Sequence, residues 1–568
     1  MGLSPKESSE LIANHFANIS QMFPPLSIES LPERVQEKIQ KACEPPNINE
    51  YEVMRKIEAA KKPQSGVPGD LPRELVKEFS VELAVPVCKI LKNIFTSAQW
   101  PENWRKEYIT PIAKITEPET EDDLRPISLT NFFSKVAENF VVSWLLEYVG
   151  NQIDFRQYGG MKGNSTSHYL IEFINFILYN QEAKEQTAVL ACMVDFSKAY
   201  NRTNHNILIT KLSDMGCPGW LLKIVMAFLT NRSMVVRYKG EQSSERNLPG
   251  SCPQGTLLGL FLFLILINDA GFDNQENNTG ELITCKRNIK EANEIHLKFV
   301  DDLTLGEAID LKKQLVFKGN RQLPDNFHSR TGHILPEENS RVCQQLHSLT
   351  NFADNNEMLI NYKKTKFILF NNAKNLDFEP NFEINGQQIE LVDVARLLGV
   401  IVRSDLKWCS NTEDITKKGF KRLWMLRRLK ALGATQKRLV DVLVKQVRSL
   451  LEIAVPVWHS GLTVAESKDI ERVQKAGLQV ILGPRYKNYE NALAKCGLKT
   501  LNQRRVELCT RFAKKSAKHE KHRKWFVPNL KTTITRSKQP KYCPVFSRTV
   551  RFDKSPLSYL TKLLNQLD

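Results

Sequence analysis

Two short strand-like runs in this chain end on carboxylates, and they restrict what it can fold into more than any other feature. Val189 to Val194 leads into Asp195, and Ile295 to Val300 leads into the adjacent pair Asp301 and Asp302. Such runs, bounded by charge, predict buried strands. Acids carried on the ends of sequence-distant strands repel one another unless cations neutralise them. Their hard oxygens select divalent ions, and two such ions roughly 3.5–4 Å apart are the arrangement that phosphoryl transfer uses. A lone strand-end Asp is more often a turn or a cap. The weight comes from a third segment, Pro249 to Phe263, in which a tight Pro253-Gln254-Gly255 turn feeds an apolar helix. Pro restricts φ and Gly lets backbone approach a ligand closely, so this turn suits the wall of a nucleotide pocket.

Around these segments the chain reads as a mixture of strands and helices. Further strand-like runs are Tyr108–Ile115, Met234–Tyr238 and Lys366–Phe370, and helical stretches fall at about 132–149, 165–180, 204–230 and 256–268. Leu75, Phe79, Leu83, Val87 and Leu91 recur every four residues, which predicts one long amphipathic helix opened by Pro72 and ending near Trp100. This mixing predicts an α+β fold with helices mainly on one face of the sheet. From about Trp408 the pattern changes to helices over Ile415–Leu432, Lys437–Ala454 and Val464–Leu482, with Lys and Arg interleaved among Leu and Val. Beyond about Lys514, basic and turn-forming residues predict a partly ordered tail.

Length and charge narrow the partners. At 568 residues the chain exceeds a single core, so two or more subdomains are expected. Lys and Arg outnumber Asp and Glu by 80 to 63, a net charge of +17 that favours a polyanion. The longest apolar run, Leu257 to Ile267, falls short of the ~20 residues that a spanning helix needs, and predicts a buried helix instead; no membrane partner is expected. Lys6 stands where a myristoylation signal has Ser or Thr, and no secretory leader is evident. The 11 cysteines include no C-x-x-C pair, which argues against disulfide frameworks and zinc knuckles and fits a reducing compartment.

The order D-F-S-K-A-Y from Asp195, P-Q-G-x-x-x-G from Pro253 and F-V-D-D from Phe299 resembles palm motifs A, B and C of reverse transcriptases. Pro101 to Lys114, Leu124 to Thr130 and Gln157 to Thr166 resemble the fingers blocks of non-LTR retrotransposons of the LINE type, jockey-like elements among them. Asn356 to Lys366 resembles motif D, Arg396 to Val402 the primer-grip region, and Arg448 to Trp458 with Leu462 to Ala476 the helical segment after these palms. The resemblance covers about residues 60 to 480.

This resemblance implies an α+β right-hand polymerase architecture, fingers and palm with an antiparallel sheet backed by helices, followed by an α-helical thumb. The expected boundaries are an N-terminal extension at 1–60, fingers with palm elements at 61–190, palm at 191–408, thumb at 409–500 and a basic tail at 501–568. It implies an RNA-directed DNA polymerase that extends a primer 3′-hydroxyl with dNTPs on an RNA template. Asp195, Asp301 and Asp302 would hold two Mg2+ ions, or Mn2+ in their place, with the Phe196 carbonyl as a further ligand. Tyr200 would pack under the incoming sugar and reject ribonucleotides; Gln254 and Gly255 would line the pocket; Arg125 and Lys114 would contact the triphosphate; Lys364 would protonate pyrophosphate. Each has a plainer role in core packing or as a solvated charge. The implied partners are template RNA, a DNA primer or nicked target, and dNTPs, within a cytoplasmic and nuclear ribonucleoprotein.

Asn201 departs from the family, whose members usually carry an acid there. The first 60 residues are too few for the endonuclease of complete elements, so nicking is expected from elsewhere. Two classes of reading follow: an active polymerase, favoured by the intact aspartates, and a silent or domesticated remnant that only binds nucleic acid. An RNA-dependent RNA polymerase shares the palm chemistry, but Tyr200 and the F-V-D-D segment speak against it.

Overall fold

A computed structural model describes residues 4–60, 67–115, 117–183, 187–271, 293–310, 316–317, 333–335, 340–371, 378–380, 383–384, 386–529 and 540–566. The chain forms two compact units, each assembled from three separated stretches: Met1–Gly160 with Phe196–Phe272 and Ser348–Ile360, and Met161–Asp195 with Asp273–His347 and Asn361–Asp568. Their main sheets use strands β1 (Lys106–Ala113), β2 (Leu124–Leu129), β3 (Thr187–Val194), β4 (Arg232–Tyr238), β5 (Glu241–Gln242), β6 (Arg246–Leu248), β7 (Glu294–Phe299) and β8 (Asp302–Asp310).

In the first unit β1 lies between antiparallel β2 and parallel β4, and β5 and β6 pair with β4. Helix α1 (Pro5–Ser20) opens on a capping box between Ser4 and Glu7. Its apolar stripe of Ile12, Ala13, Phe16 and Ala17 is buried with Ile109, Met234, Val236 and Leu248. The N-terminal residues are thus part of this unit's core, because α1 covers a sheet face that would otherwise expose apolar surface.

In the second unit β3 pairs antiparallel with β8 and with the Lys366–Phe370 strand, and β7 closes a hairpin onto β8. A two-residue parallel strand, Glu390–Leu391, lies at the far edge. The Thr166–Ala183 helix packs on β3 and β7. Residues Ala188 to Cys192 of β3 are 0% exposed, as expected of a central strand covered on both faces. The α+β organisation therefore agrees with the sequence reading, with helices following from Cys409 onward.

Several elements differ from expectation. The helix after Pro72 is two helices, Arg73–Glu78 and Ser80–Ser97. A strict four-residue spacing drifts around a 3.6-residue helix, so Leu75 and Phe79 are exposed while Val76, Val87 and Leu91 are buried. The stretch 204–230 divides into His205–Asp214 and Gly219–Leu229 at Gly216, which has φ +86°, and Pro218. Lys437–Ala454 becomes Gln436–Val442, a π-helical turn at Leu443–Arg448 and a short Ser449–Leu451 helix, ending where Ala454 adopts φ +50° just before Val455-Pro456. The strand expected over Tyr108–Ile115 stops at Ala113, and β2 and β8 escaped sequence reading altogether. The C-terminal region, expected as a partly ordered tail, contains the helices Leu501–Lys518 and Pro556–Asn565, whose Leu501, Cys509, Ala513, Leu560 and Leu564 are buried; residues 530–539 lie outside the described set.

Candidate active site

The second unit brings the three aspartates to one end of its sheet. Val194 is the last residue of β3 and pairs with Leu303, so Asp195, one residue on, and Asp302, one residue before Leu303, leave the paired strands at the same end. Phe299 pairs with Asp302, which leaves Val300 and Asp301 as the two-residue turn between β7 and β8. Val300 sits at φ +60°. Hairpin turns of this length favour positive φ, but a β-branched residue there stores roughly 1–3 kcal/mol of strain, and such strain gathers at functional sites. Asp301 is exposed on this turn, and Asp195 and Asp302 are half-buried.

The turn that matches motif D holds Asp195 from both sides. The Asp195 backbone N–H donates to Thr365 Oγ1 at 3.3 Å, and the Asn361 N–H donates to the Asp195 carbonyl at 2.7 Å. Thr365 is fully buried, whereas Lys364 stands exposed on the same turn. Beneath the hairpin, the Tyr169 hydroxyl donates to Thr304 Oγ1 at 2.6 Å, and its ring meets Phe299 edge-on. Burial pushes the Tyr169 phenol up, with the Asp302 charge adding to it. Sequence reading missed Tyr169 and Thr365; the signal for Thr365 was its place inside the motif-D-like block, whereas Tyr169 lies three residues past the Gln157 to Thr166 block.

The first unit gathers the other candidates. The Ser128 N–H donates to the Gln254 carbonyl at 2.7 Å, laying the Pro-Gln-Gly turn along β2, the strand that carries exposed Arg125. Gly255 has φ +118°, and a Cβ there would stand 3.0 Å from the Ser128 carbonyl oxygen, so a side chain would be both strained and crowded. The Cys252 N–H donates to the Tyr200 carbonyl at 2.8 Å, and the Tyr200 ring stacks on Phe263 with centroids 4.4 Å apart. Phe196 is buried and bridges Ile360 antiparallel, with the Ser197 N–H on the Leu359 carbonyl at 2.8 Å. Lys114, just past β1, donates to the Asp122 carbonyl at 2.7 Å.

Glu138 is the first unit's unforeseen carboxylate. It is 0% exposed and accepts the Leu257 and Leu258 N–H groups at 3.0 and 3.1 Å, capping the Leu257–Leu266 helix that follows the Pro-Gln-Gly turn. Burial drives its pKa up while those N–H groups pull it down. The available signal was an acid set among apolar neighbours near the middle of the Phe132–Val149 helix, whose second acid, Glu147, is exposed.

The donor chemistry at the β3 and β7–β8 end suits a divalent cation: Asp195, Asp301 and Asp302 offer only hard oxygens. Among the described residues no three His, Cys, Asp or Glu side chains converge into a ready-made metal cage. Asp195 and Asp302 leave the paired strands at the same end and Asp301 lies on the turn between β7 and β8, so donor type and strand placement fit such an ion.

Acids at adjacent strand ends beside a strained hairpin, on an antiparallel sheet backed by a helix, are arranged as in a polymerase palm. The chain belongs to the reverse transcriptase (RNA-dependent DNA polymerase) family, which it matches over residues 114–402. It is 26% identical over 273 residues to the RNA-directed DNA polymerase from mobile element jockey of Drosophila melanogaster, covering 46% of this chain and 29% of that protein. It is also 26% identical over 285 residues to the Drosophila funebris protein of the same name, covering 48% and 30%. The probable RNA-directed DNA polymerase from transposon X-element of Drosophila melanogaster is 25% identical over 268 residues, covering 46% and 29%. The chain thus spans less than a third of the length of these relatives. Among solved structures, telomerase from Candida tropicalis in complex with a TWJ fragment of telomeric RNA aligns with a TM-score of 0.36 and 11% identity over 84% of this chain and 64% of that one. No described helix is long and apolar enough to cross a membrane.

Proposed function

We propose that this chain is an RNA-directed DNA polymerase of the non-LTR retrotransposon kind, which extends a DNA primer 3′-hydroxyl with dNTPs on an RNA template. The observation that carries the reading is the strand register that sets Asp195 beside Asp302, with Asp301 on the hairpin between β7 and β8. Asp195, Asp301 and Asp302, with the Phe196 carbonyl, are the groups to hold two Mg2+ ions, for which Mn2+ can substitute. When bound, such ions lower the pKa of the attacking hydroxyl and neutralise charge on the transferring phosphate.

The chain's own contribution is positioning. The 361–365 turn sets the Asp195 backbone, Gly255 lets the pocket wall approach without a side chain, and the stacked Tyr200 ring offers a flat surface for the sugar. Arg125 and Lys114 serve the triphosphate as positive charges, and Lys364 supplies a proton to the leaving pyrophosphate.

The helix Cys409–Ala431 fits a thumb. It buries Ile415, Gly419, Leu423 and Leu426 and presents Lys417, Lys421, Arg427 and Arg428 outward with exposed Phe420 and Trp424. Cations interleaved with aromatic faces suit nucleic-acid backbone and bases, with binding that weakens as salt rises. A polymerase of this kind works as a ribonucleoprotein in cytoplasm and nucleus.

Primer extension on an RNA template with Mg2+ tests the reading, comparing dNTPs with ribonucleotides and wild type with Asp301→Ala. DNA synthesis that falls at least about 100-fold in the variant is expected. Salt-sensitive RNA binding by folded protein with no synthesis would overturn it.

A further inference from the structure

Three side chains from three separate elements of the first unit converge on one exposed acid. His15 Nε2, from α1, lies 3.1 Å from Asp122 Oδ1, and Lys198 Nζ, from the loop after β3, lies 2.6 Å from the same oxygen. Lys114 Nζ, at the end of β1, donates to the Asp122 carbonyl at 2.7 Å. Lys198 Nζ and His15 Nε2 are themselves 3.4 Å apart, so the acid is what holds this donor cluster together. Lys198 reaches it from a backbone at φ +52°, a left-handed conformation that a lysine rarely adopts.

Asp122 itself is poorly suited to be a structural core. Its side chain is 63% exposed, and it sits on a 3-10 turn, Glu121–Asp123, that joins β1 to β2. The hydrogen bond from Lys198 holds the Asp122 carboxyl below the usual carboxylate range. A carboxylate in this position offers one charge and two oxygens to a cluster that would bind a more highly charged oxyanion better.

We propose that Asp122 is the built-in occupant of an anion site formed by His15, Lys198 and Lys114, and that the polyphosphate tail of a nucleotide displaces it. The inference rests on the polymerase reading for the identity of the nucleotide. It adds to that reading two ligands, His15 and Lys198, and a competitor within the chain. It also gives α1 a function: the helix brings His15 to the site while its other face completes the core.

The test uses inorganic tripolyphosphate as the probe, titrated calorimetrically into the full chain in EDTA. Asp122→Asn is expected to bind about tenfold tighter than wild type, and Lys198→Ala and His15→Gln to bind more weakly, with Lys198→Arg restoring most of the loss. In the Asp122→Asn/Lys198→Ala pair the gain from the Asn should shrink, since Asp122 competes chiefly by occupying Lys198. Thermal melts identify any variant that loses α1 packing, and for these the Lys198→Arg and Asp122→Asn results decide. Equal affinity across the series, or weaker binding by Asp122→Asn, would overturn the proposal and leave Asp122 as a latch on α1. Primer extension distinguishes the two readings: synthesis with a flat tripolyphosphate series removes the anion site alone, whereas no synthesis with the expected series removes the polymerase and keeps the site.

Discussion

Asp195 donates its backbone N–H to the hydroxyl oxygen of Thr365 over 3.3 Å, across 170 residues of sequence. Thr365 is 0% exposed, so water cannot replace this acceptor. Thr365→Val keeps the shape and removes the oxygen that accepts this N–H, at a cost of about 1–3 kcal/mol. Urea denaturation should report that loss. Because the same bond sets where Asp195 leaves β3, kcat for primer extension should fall about tenfold with little change in KM. A variant with reduced stability and normal kcat would show that the bond only holds the sheet.

Tyr200 stacks on Phe263 at 4.4 Å with ring planes 17° apart, so its ring has a defined orientation. Tyr200→Val removes that surface. Discrimination between deoxy- and ribonucleotides, measured by single-nucleotide extension, should drop by about 10- to 100-fold, mainly through easier use of the ribonucleotide. Unchanged discrimination would assign Tyr200 to core packing alone.

Arg232 and Glu107 form an ion pair in the core of the first unit, Nε to Oε1 2.8 Å, with side chains 1% and 2% exposed. Arg232 Nη1 also donates to the Phe228 carbonyl at 3.0 Å. Glu107→Ala strands a buried guanidinium and should cost about 3–5 kcal/mol, whereas Glu107→Met/Arg232→Met should recover most of it. Denaturant midpoints for the two variants give the comparison, and equal losses would contradict the argument.

In the second unit, His168 and His522 stack at 4.0 Å. His168 Nε2 meets Ser516 Oγ at 3.1 Å, and His522 Nε2 donates to Asn164 Oδ1 at 2.7 Å. Burial, then the charges of His519, Lys515 and Lys521, holds His168 down to about 3; burial, then His168 and Lys521, holds His522 down to about 2. Their unfolded values lie near 6.5. Below that pH the unfolded chain takes up protons that the native stack refuses, so stability is lost as pH falls from about 6.5 toward 3. Melting temperature should drop over this range, and His168→Gln/His522→Gln should flatten the slope. An unaltered slope in the double variant would place the acid sensitivity elsewhere.

Much of this site is legible in the order of the amino acids. Asp195, Asp301 and Asp302 stand out because each follows a run whose apolar character is a local property, and the Pro-Gln-Gly turn because Pro and Gly punctuate a chain wherever they occur. The helix Val464–Leu482 coincides with its sequence limits for the same reason. β8 was illegible because its Thr304 and Glu307, 0% and 3% exposed, look like surface residues until Tyr169, Ser340 and Arg341 supply their partners.

What the sequence determined by itself was the inventory: acids at strand ends, a glycine where backbone must come close, basic helices after the sheet. These follow from periodicity and side-chain chemistry within a few residues. Only the tertiary structure decided that Asp195 leaves its strand beside Asp302, that Thr365 holds it, that Glu138 caps the helix after the Pro-Gln-Gly turn, and that His15 and Lys198 share Asp122. Each joins residues far apart in the chain, and such contacts are selected by packing and by the cost of leaving buried polar groups unpaired, for which neighbouring residues carry no signal.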